Sequence, residues 1–344
     1  MRIVHVITRL ILGGAQENTL LTVEGLHHRY GDDVTLITGP AEGPEGDLFA
    51  RAEALGLKVE LMPELVRPVR PGTDYRAYRR LREAFRRLAP EVVHTHSSKA
   101  GIVGRAAAWD EKVPAIVHTI HGLPFGPFET KFRNRLYIGL ERWASRRCHA
   151  IVSVCDAMTT QALAQGVGRP EQYSTVYSGM DVEAFLNPRR SRDEVRRELG
   201  LADDEVAFAT VARLFELKGH DDILEVAPAV LAENPRVRFV WIGDGILRDR
   251  FLNEIDRLGL RHAFRLTGLV PPDRIPELLN GVDAVIHPSL REGLARVLPQ
   301  SLLVGRPAIS YDVDGAREVI LPETGVLLPP RDREGLRRGI LRLA

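Results

Sequence analysis

The stretch "EVAFATVARLFELKGHDDILEVAPAVLAENPRVRFVWIG", residues 205–243, decides how the chain is read. An apolar run (205–212) leads through a short polar turn into an amphipathic segment, and a second apolar run follows (236–243). Near-continuous apolar strands separated by helices are the pattern of a parallel sheet covered on both faces. In such sheets ligands bind beyond the carboxyl ends of the strands. That end carries Arg213 here and, five residues on, Lys218, just before Gly219 and a helix. Two cations at one strand end form a clamp for a diphosphate; the competing reading is a solvated loop with arbitrary charge. The lysine departs from habit, because only five of the 47 cationic side chains are lysine.

The alternation continues on both sides. Downstream, strands are expected at 263–270, 282–289 and 307–313. Upstream they fall at 2–8, 33–39, 58–62, 91–97, 115–122, 150–155 and 173–179. Amphipathic helices lie between them. One covers 76–90, with Tyr78, Leu81, Phe85 and Leu88 on one face and arginines on the other. The expected fold class is α/β, with two doubly wound parallel-sheet domains facing each other across a cleft. The boundary falls near residues 180–190, giving domains of 1–182 and 183–344, with the polar, arginine-rich segment 187–199 as a hinge region.

A length of 344 residues suits two domains. The composition, 44% hydrophobic and 27% charged, is that of a soluble globular chain, and the net charge of +1 gives no field that would draw it to nucleic acid. Cys148 and Cys155 have neither disulfide-framework nor zinc-finger spacing and read as packing residues in a reducing compartment. The N-terminus, "MRIVHVITRLILGG", is broken by His5 and Arg9 and reads as a first strand, not a signal peptide. No run approaches the roughly 20 apolar residues needed to span a bilayer. A cytoplasmic protein is expected, in contact with at most a membrane surface.

Three further motifs carry chemistry. "LGGAQ" (12–16) is a glycine turn into a helix, whose exposed amides suit a phosphate; it lacks the three-glycine spacing of a dinucleotide fingerprint, which argues against a nicotinamide-dependent dehydrogenase. "HTH" (94–96) and "HTIH" (118–121) raise the question of a metal, but no carboxylate completes a set. His121, at a strand end before Gly122, reads as a polar group placed in the cleft, with His94 and His118 as core or supporting residues. In "HPSLREGLARVLPQSLLVG" (287–305), Pro299 fits only near a helix start, so the helix is expected to begin between Ala295 and Val297. Glu292 is then presented above a strand, Gly293 permits close approach of a ligand, and the amides of Leu294, Ala295 and Arg296 suit a phosphate. Gln300 lies about a turn into the helix. The bland alternative makes Glu292 a helix-start charge and Gln300 an ordinary helix former.

Together these residues resemble the retaining GT-B glycosyltransferases of family 4. The resemblance runs through "LGGAQ", "HTHSSKAGIVGR", "TIHG", "YSGMD", "ARLFELKGHDDILE", "FVWIGDG", "LTGLV" and "REGLARVLPQSLLVGRPAISYDVDGAREVI", in the family's order, and is most specific over 205–320. It implies that Arg213 and Lys218 hold the donor diphosphate and stabilise the leaving nucleotide. By the same resemblance Gly13 and Gly14 form the opposing loop, and His121 lies near the transferred sugar. Leu269 and Val270 offer backbone to the base, and Glu292 is the first acid of the Glu-x7-Glu motif, near the sugar hydroxyls. Gln300 takes the place of the second acid, the usual ribose ligand, which implies weaker or altered ribose recognition with the chemistry retained. The family commonly continues past the helix at 332–344, so a shortened chain or a missing crossover helix is implied.

The implied activity is transfer of a sugar from a nucleotide-diphosphate-sugar to a saccharide, lipid-linked or small-molecule acceptor, by front-face attack and without a metal or other cofactor. Two rivals remain. A nucleotide-sugar epimerase would need a cluster of acids that is not found between 90 and 125, and a nucleotide-sugar-binding protein without transfer activity is made credible by Gln300. The segment "TKFRNRLYIGLERWASRRC" (130–148) sets Phe132, Leu136, Tyr137, Leu140 and Trp143 among arginines. It reads either as a buried helix with a basic edge or as a helix lying on the inner face of a membrane.

Overall fold

The computed structural model describes residues 1–41 and 46–344. They form two compact units, Met1–Met180 and Asp181–Ala344. Each unit is a single parallel sheet with helices between its strands.

In the first unit the chain runs β1 (Arg2–Ile7), α1 (Gly14–Glu24), β2 (Asp33–Thr38), α2 (Phe49–Ala54), β3 (Lys58–Leu61), α3 (Pro71–Leu88) and β4 (Val92–His96). It continues with α4 (Ser98–Asp110), β5 (Ala115–Ile120), α5 (Lys131–Ser145), β6 (Ala150–Ser153), α6 (Asp156–Ala164) and β7 (Tyr173–Thr175). The strand order is β3-β2-β1-β4-β5-β6-β7. The chain therefore reverses its direction of growth across the sheet between β1 and β4, which pair in parallel from Ile3↔Val92 to Val6↔Thr95.

The second unit contains α7 (Val182–Leu186), α8 (Arg192–Glu198), β8 (Val206–Val211), α9 (His220–Glu233), β9 (Val237–Ile242), α10 (Arg248–Arg257) and β10 (Phe264–Gly268). Then come α11 (Ile275–Gly281), β11 (Ala284–His287), α12 (Val297–Leu303), β12 (Ala308–Tyr311), β13 (Gly325–Leu328) and α13 (Arg333–Leu343). The order β10-β9-β8-β11-β12-β13 places the reversal between β8 and β11. Two buried clusters cover this sheet. One holds Phe208, Phe239, Trp241, Ile286 and Ile309 with residues of α9, α10 and α13. The other holds Ala207, Ala209, Val240, Val285 and Ala308 with residues of α8, α11 and α12. Alternate residues of each strand thus face opposite layers, which is why the strands read as continuous apolar runs instead of alternating ones.

Several details differ from the sequence reading. α3 begins at Pro71, whose missing N–H costs nothing in a first turn, and ends at Ala89 in the left-handed conformation (φ 44°). The segment 187–199 is not a loose hinge throughout. Ser191 and Glu194 close a capping box at the start of α8, Val195 is fully buried, and Arg192 and Arg196 both reach Asp283. β13, an edge strand beside β12, was not expected. α5 is not the buried helix of the first alternative. Its inner face presents Glu141, Ala144 and Ser145, with Glu141 paired at 2.7 Å to the buried Arg105 of α4. Its outer face leaves Phe132 (78%), Leu136 (46%) and Trp143 (40%) exposed. No helix among the described residues is long and apolar enough to cross a membrane.

Candidate active site

All strands of the second sheet are parallel, so the segments after β8, β9, β10, β11 and β12 lie along one edge. Arg213 follows β8 and packs its guanidinium over the Phe215 ring, 4.9 Å from the centroid. Lys218 lies further along the same loop and Glu292 in the loop after β11, on either side of the reversal point. The lysine Nζ donates to Glu292 Oε1 at 2.6 Å, and Nε2 of His287, the last residue of β11, lies 3.3 Å from the same oxygen. Burial alone would raise the Glu292 carboxyl, but the adjoining Lys218 and His287 hold it well below the usual carboxylate range. The carboxylate is thus charged and anchors the lysine ammonium at the sheet edge.

The backbone around this pair is tightly constrained. Leu217 has φ 65° and Asp314 φ 52°, conformations that cost a non-glycine residue free energy. Both are held in place. The Leu217 carbonyl accepts from Ser289 Oγ (3.1 Å) and from the Leu290 amide (2.8 Å). Asp314 Oδ2 accepts from the Glu292 amide at 3.0 Å, and the Gly315 amide donates to the Gly293 carbonyl at 3.0 Å. Gly219 opens α9 at φ 80°, and a Cβ there would lie 2.0 Å from the Pro288 carbonyl oxygen. The lysine loop and the glutamate loop are therefore wedged together, backbone against backbone.

α12 starts at Val297, the last of the three expected positions. Leu294 and Ala295 lie buried in the turn before it, and Arg296 occupies the cap position, so these three amides precede the first helical turn. Pro299 occupies the third helical position, where an N–H has no intrahelical partner in any case. Gln300 is one position further and almost wholly buried (9% exposed). Leu269 follows β10 and is exposed, while Val270 lines a cavity of about 300 Å³ together with Leu266, Thr267 and Arg274. Sequence reasoning missed His287 and Asp314. A histidine ending the apolar run 282–289 was the available signal for the first; nothing local marked the second.

The first sheet carries its polar groups differently. Gly13 precedes α1 and gives it no side-chain cap, which suits an incoming phosphate, and Gly14 is the first helical residue. Thr8, just after β1, shares a 2.7 Å hydrogen bond with Ser97, just after β4, and takes a 3.2 Å bond from the Ala100 amide. The Gly179 amide donates to Asn18 of α1 at 2.9 Å. The histidines form a connected stack. His5 Nδ1 lies 2.9 Å from His96 Nε2, and His96 Nδ1 lies 3.1 Å from His121 Nε2. His94 bonds Thr119 (2.7 Å) and His118 bonds Thr95 (2.9 Å).

Sequence reasoning missed His5, which stands on the neighbouring strand, in register with His94. Nitrogens of His5, His94 and His96 all lie within 4.8 Å of one another. Their rings stack instead of converging, with 12° between the planes of His5 and His96 and 28° between His94 and His96, and both His96 nitrogens face other imidazoles. Desolvation holds His5, His96 and His118 well below the ordinary histidine value and brings His94 down to about 4. The group is an uncharged hydrogen-bonded stack.

Comparison with known proteins gives this arrangement a context. Residues 13–179 match the family described as "Glycosyl transferase 4-like domain" and residues 191–344 that described as "Glycosyl transferases group 1". The chain is 27% identical, over its whole length and 88% of the relative, to the UDP-Gal:alpha-D-GlcNAc-diphosphoundecaprenol alpha-1,3-galactosyltransferase of Escherichia coli. It is also 27% identical to the 2-deoxystreptamine N-acetyl-D-glucosaminyltransferase of Streptomyces fradiae, across 70% of this chain and 59% of that one. The fold is shared with Anabaena HepE in complex with UDP-glucose, at a TM-score of 0.80 and 22% identity, covering 99% of this chain and 88% of that one.

Proposed function

Because this chain belongs to the GT-B glycosyltransferases of family 4, we propose that it moves a hexose from a UDP-sugar to a lipid-linked saccharide, with retention of configuration. The observation that carries this reading is the meeting of Lys218 and Glu292 at the reversal point of the second sheet, beside the Arg213 loop. Breaking the sugar–phosphate bond leaves positive charge on the sugar ring and negative charge on the departing diphosphate. Arg213 and Lys218 supply fixed positive charge for the diphosphate. Glu292 keeps the lysine oriented and faces the sugar hydroxyls. No carboxylate is assigned as a covalent nucleophile. The acceptor hydroxyl attacks the anomeric carbon on the face that the phosphate leaves, and its proton passes to the departing phosphate oxygen. The two cationic side chains take the role that a bridging metal would have, so transfer is expected to survive chelators.

Similarity to a transferase acting on a diphosphoundecaprenol-linked sugar supports the choice of acceptor. So does the outer face of α5, where Phe132, Leu136 and Trp143 are exposed among Lys131, Arg133, Arg135 and Arg142, a combination suited to an anionic membrane surface. The protein would then work at the inner face of the membrane. The test is incubation of the purified protein with labelled UDP-galactose or UDP-glucose and a GlcNAc-diphosphate-lipid, with and without EDTA. A labelled lipid product of α configuration in both conditions is expected. Donor binding with no product from either sugar would overturn the reading in favour of a binding protein, and donor consumed without acceptor would point to the epimerase.

A further inference from the structure

Two side chains meet the Glu292 carboxylate, and they meet the same oxygen. Lys218 Nζ lies 2.6 Å from Oε1 and His287 Nε2 lies 3.3 Å from it, while Oε2 makes no hydrogen bond among the described residues. The two donors are held differently. Lys218 reaches across from a loop on a flexible stem. His287 ends β11, pairs in register with Ser310 of β12, and accepts a 3.2 Å hydrogen bond on its carbonyl from Ser310 Oγ. Its ring is buried, and Nε2 makes no hydrogen bond of sound geometry. At 3.3 Å the contact with Oε1 is longer than the roughly 2.7–3.2 Å of an ordinary N–H···O bond. A buried polar atom in that condition is uncommon, and a second state that satisfies it is the natural reason. The ring proton lies on Nε2, because a bare nitrogen there would set its lone pair against the carboxylate.

We infer that His287 is a positioning residue for the donor sugar: it keeps hold of Glu292 Oε1 when the Lys218 ammonium is drawn to the incoming diphosphate, so that Oε2 stays aimed at a sugar hydroxyl. Without it the carboxylate would follow the lysine or stand unpaired, and a buried carboxylate that loses its partner is strongly destabilised. The division of labour follows from the two mountings. The mobile cation is free to answer the phosphates because the strand-borne imidazole does not move. His287 therefore bears on the sugar half of the donor and not on the nucleotide half. This role rests on the proposed reading of Lys218 and Glu292 as ligands of the diphosphate and the sugar.

The test is binding calorimetry of the full chain with UDP and with UDP-glucose or UDP-galactose, for the unaltered protein, His287→Leu and His287→Gln. Leucine removes the donor and keeps apolar bulk, whereas glutamine restores an N–H close to the place of Nε2. His287→Leu should bind UDP within about twofold of the unaltered protein but the UDP-sugar about tenfold more weakly, the loss expected for one hydrogen bond to a charged group. His287→Gln should regain most of that affinity. Equal weakening for UDP and UDP-sugar, no weakening of either, or a glutamine variant as poor as the leucine one would overturn the inference and leave His287 a packing residue. Nitrogen-15 NMR of the histidine-labelled, unaltered protein decides the matter even where a variant fails to fold. Nε2 of His287 should be protonated, and its proton should move downfield as UDP draws Lys218 away; a bare Nε2, or a proton that saturating UDP leaves unmoved, would overturn the role. A protein that shows this binding pattern and transfers nothing keeps His287 as a positioning residue and sinks the transfer reading. One that transfers at an unchanged rate in His287→Leu does the reverse.

Discussion

The two sheets solve the same topological problem and furnish it with opposite chemistry. In both, the first strand lies between the second and the fourth, and the polar residues gather where the chain reverses. At that point the second unit holds an ion pair, Lys218 with Glu292, on a backbone forced into left-handed turns at Leu217 and Asp314. The first unit holds stacked, neutral imidazoles and a hydroxyl pair, Thr8 with Ser97. A shared architecture thus does not dictate the electrostatics of its site. In the proposed transfer, one unit would stabilise charge that develops and departs, and the other would present uncharged groups.

The most direct way to break this contrast is to remove the charge. Lys218→Ala should lower kcat by about 10²–10³-fold, the range found when a fixed charge-stabilising donor is deleted. Rates within a few-fold of the unaltered enzyme would show that the ion pair is structural and the two units are less different than they look. Next in size is the backbone wedge. Gly219→Ala forces a Cβ to within 2.0 Å of the Pro288 carbonyl oxygen in a conformation that alanine resists. It should destabilise the second unit by about 2–4 kcal/mol in denaturant unfolding, and an unchanged midpoint would mean the two loops can part.

Acid sharpens the comparison further. His5, His96 and His118 are held neutral by burial, while the unfolded chain protonates them below about pH 6.5. The unfolded state then binds more protons, so the first unit loses stability as pH falls below that value, by about 1.4 kcal/mol per pH unit for each histidine. Glu292 has the same sign but a lower window. Its carboxyl is depressed from 4.5, so its contribution is complete above that value and is lost only as pH falls below it. Hydrogen exchange between about pH 7 and 5 should therefore show the first unit loosening more than the second, in which burial likewise brings His220 down to about 3; equal loosening of both would remove the distinction. The smallest expected effect is in α12. Gln300→Glu should lower KM for a UDP-sugar by about fivefold, the gain from a charged acceptor over a neutral one, and an unchanged KM would place Gln300 away from the ribose.

Much of this was legible in the sequence, for physical reasons that differ by residue. The strands announced themselves because both sheet faces are covered, so Phe208 and Ala209 can both be apolar. Lys218 stood out against the chain's preference for arginine. Segment 187–199 read as a polar, arginine-rich hinge region, although the Ser191–Glu194 box was there to be read as a helix start. β13 escaped because four residues, Gly325 and the three before Pro329, carry little periodicity. His5 was unreadable as a partner of His96, since only strand pairing brings residues 91 positions apart to 2.9 Å. Asp314 likewise acquires its role only from the loop that β12 sets beside Glu292.

The contact of Gly219 with Pro288 also bears on how such a molecule could change over time. A joint that locks the cation loop to the acid loop cannot drift on one side alone, because a side chain on either would pry the other loose. Variation in which donor is accepted must then be sought at positions outside that lock, such as Leu269, Val270 and Gln300. Libraries built on those three and sparing residues 217–219 and 287–293 are where new sugar or base preferences should emerge without loss of the reaction itself.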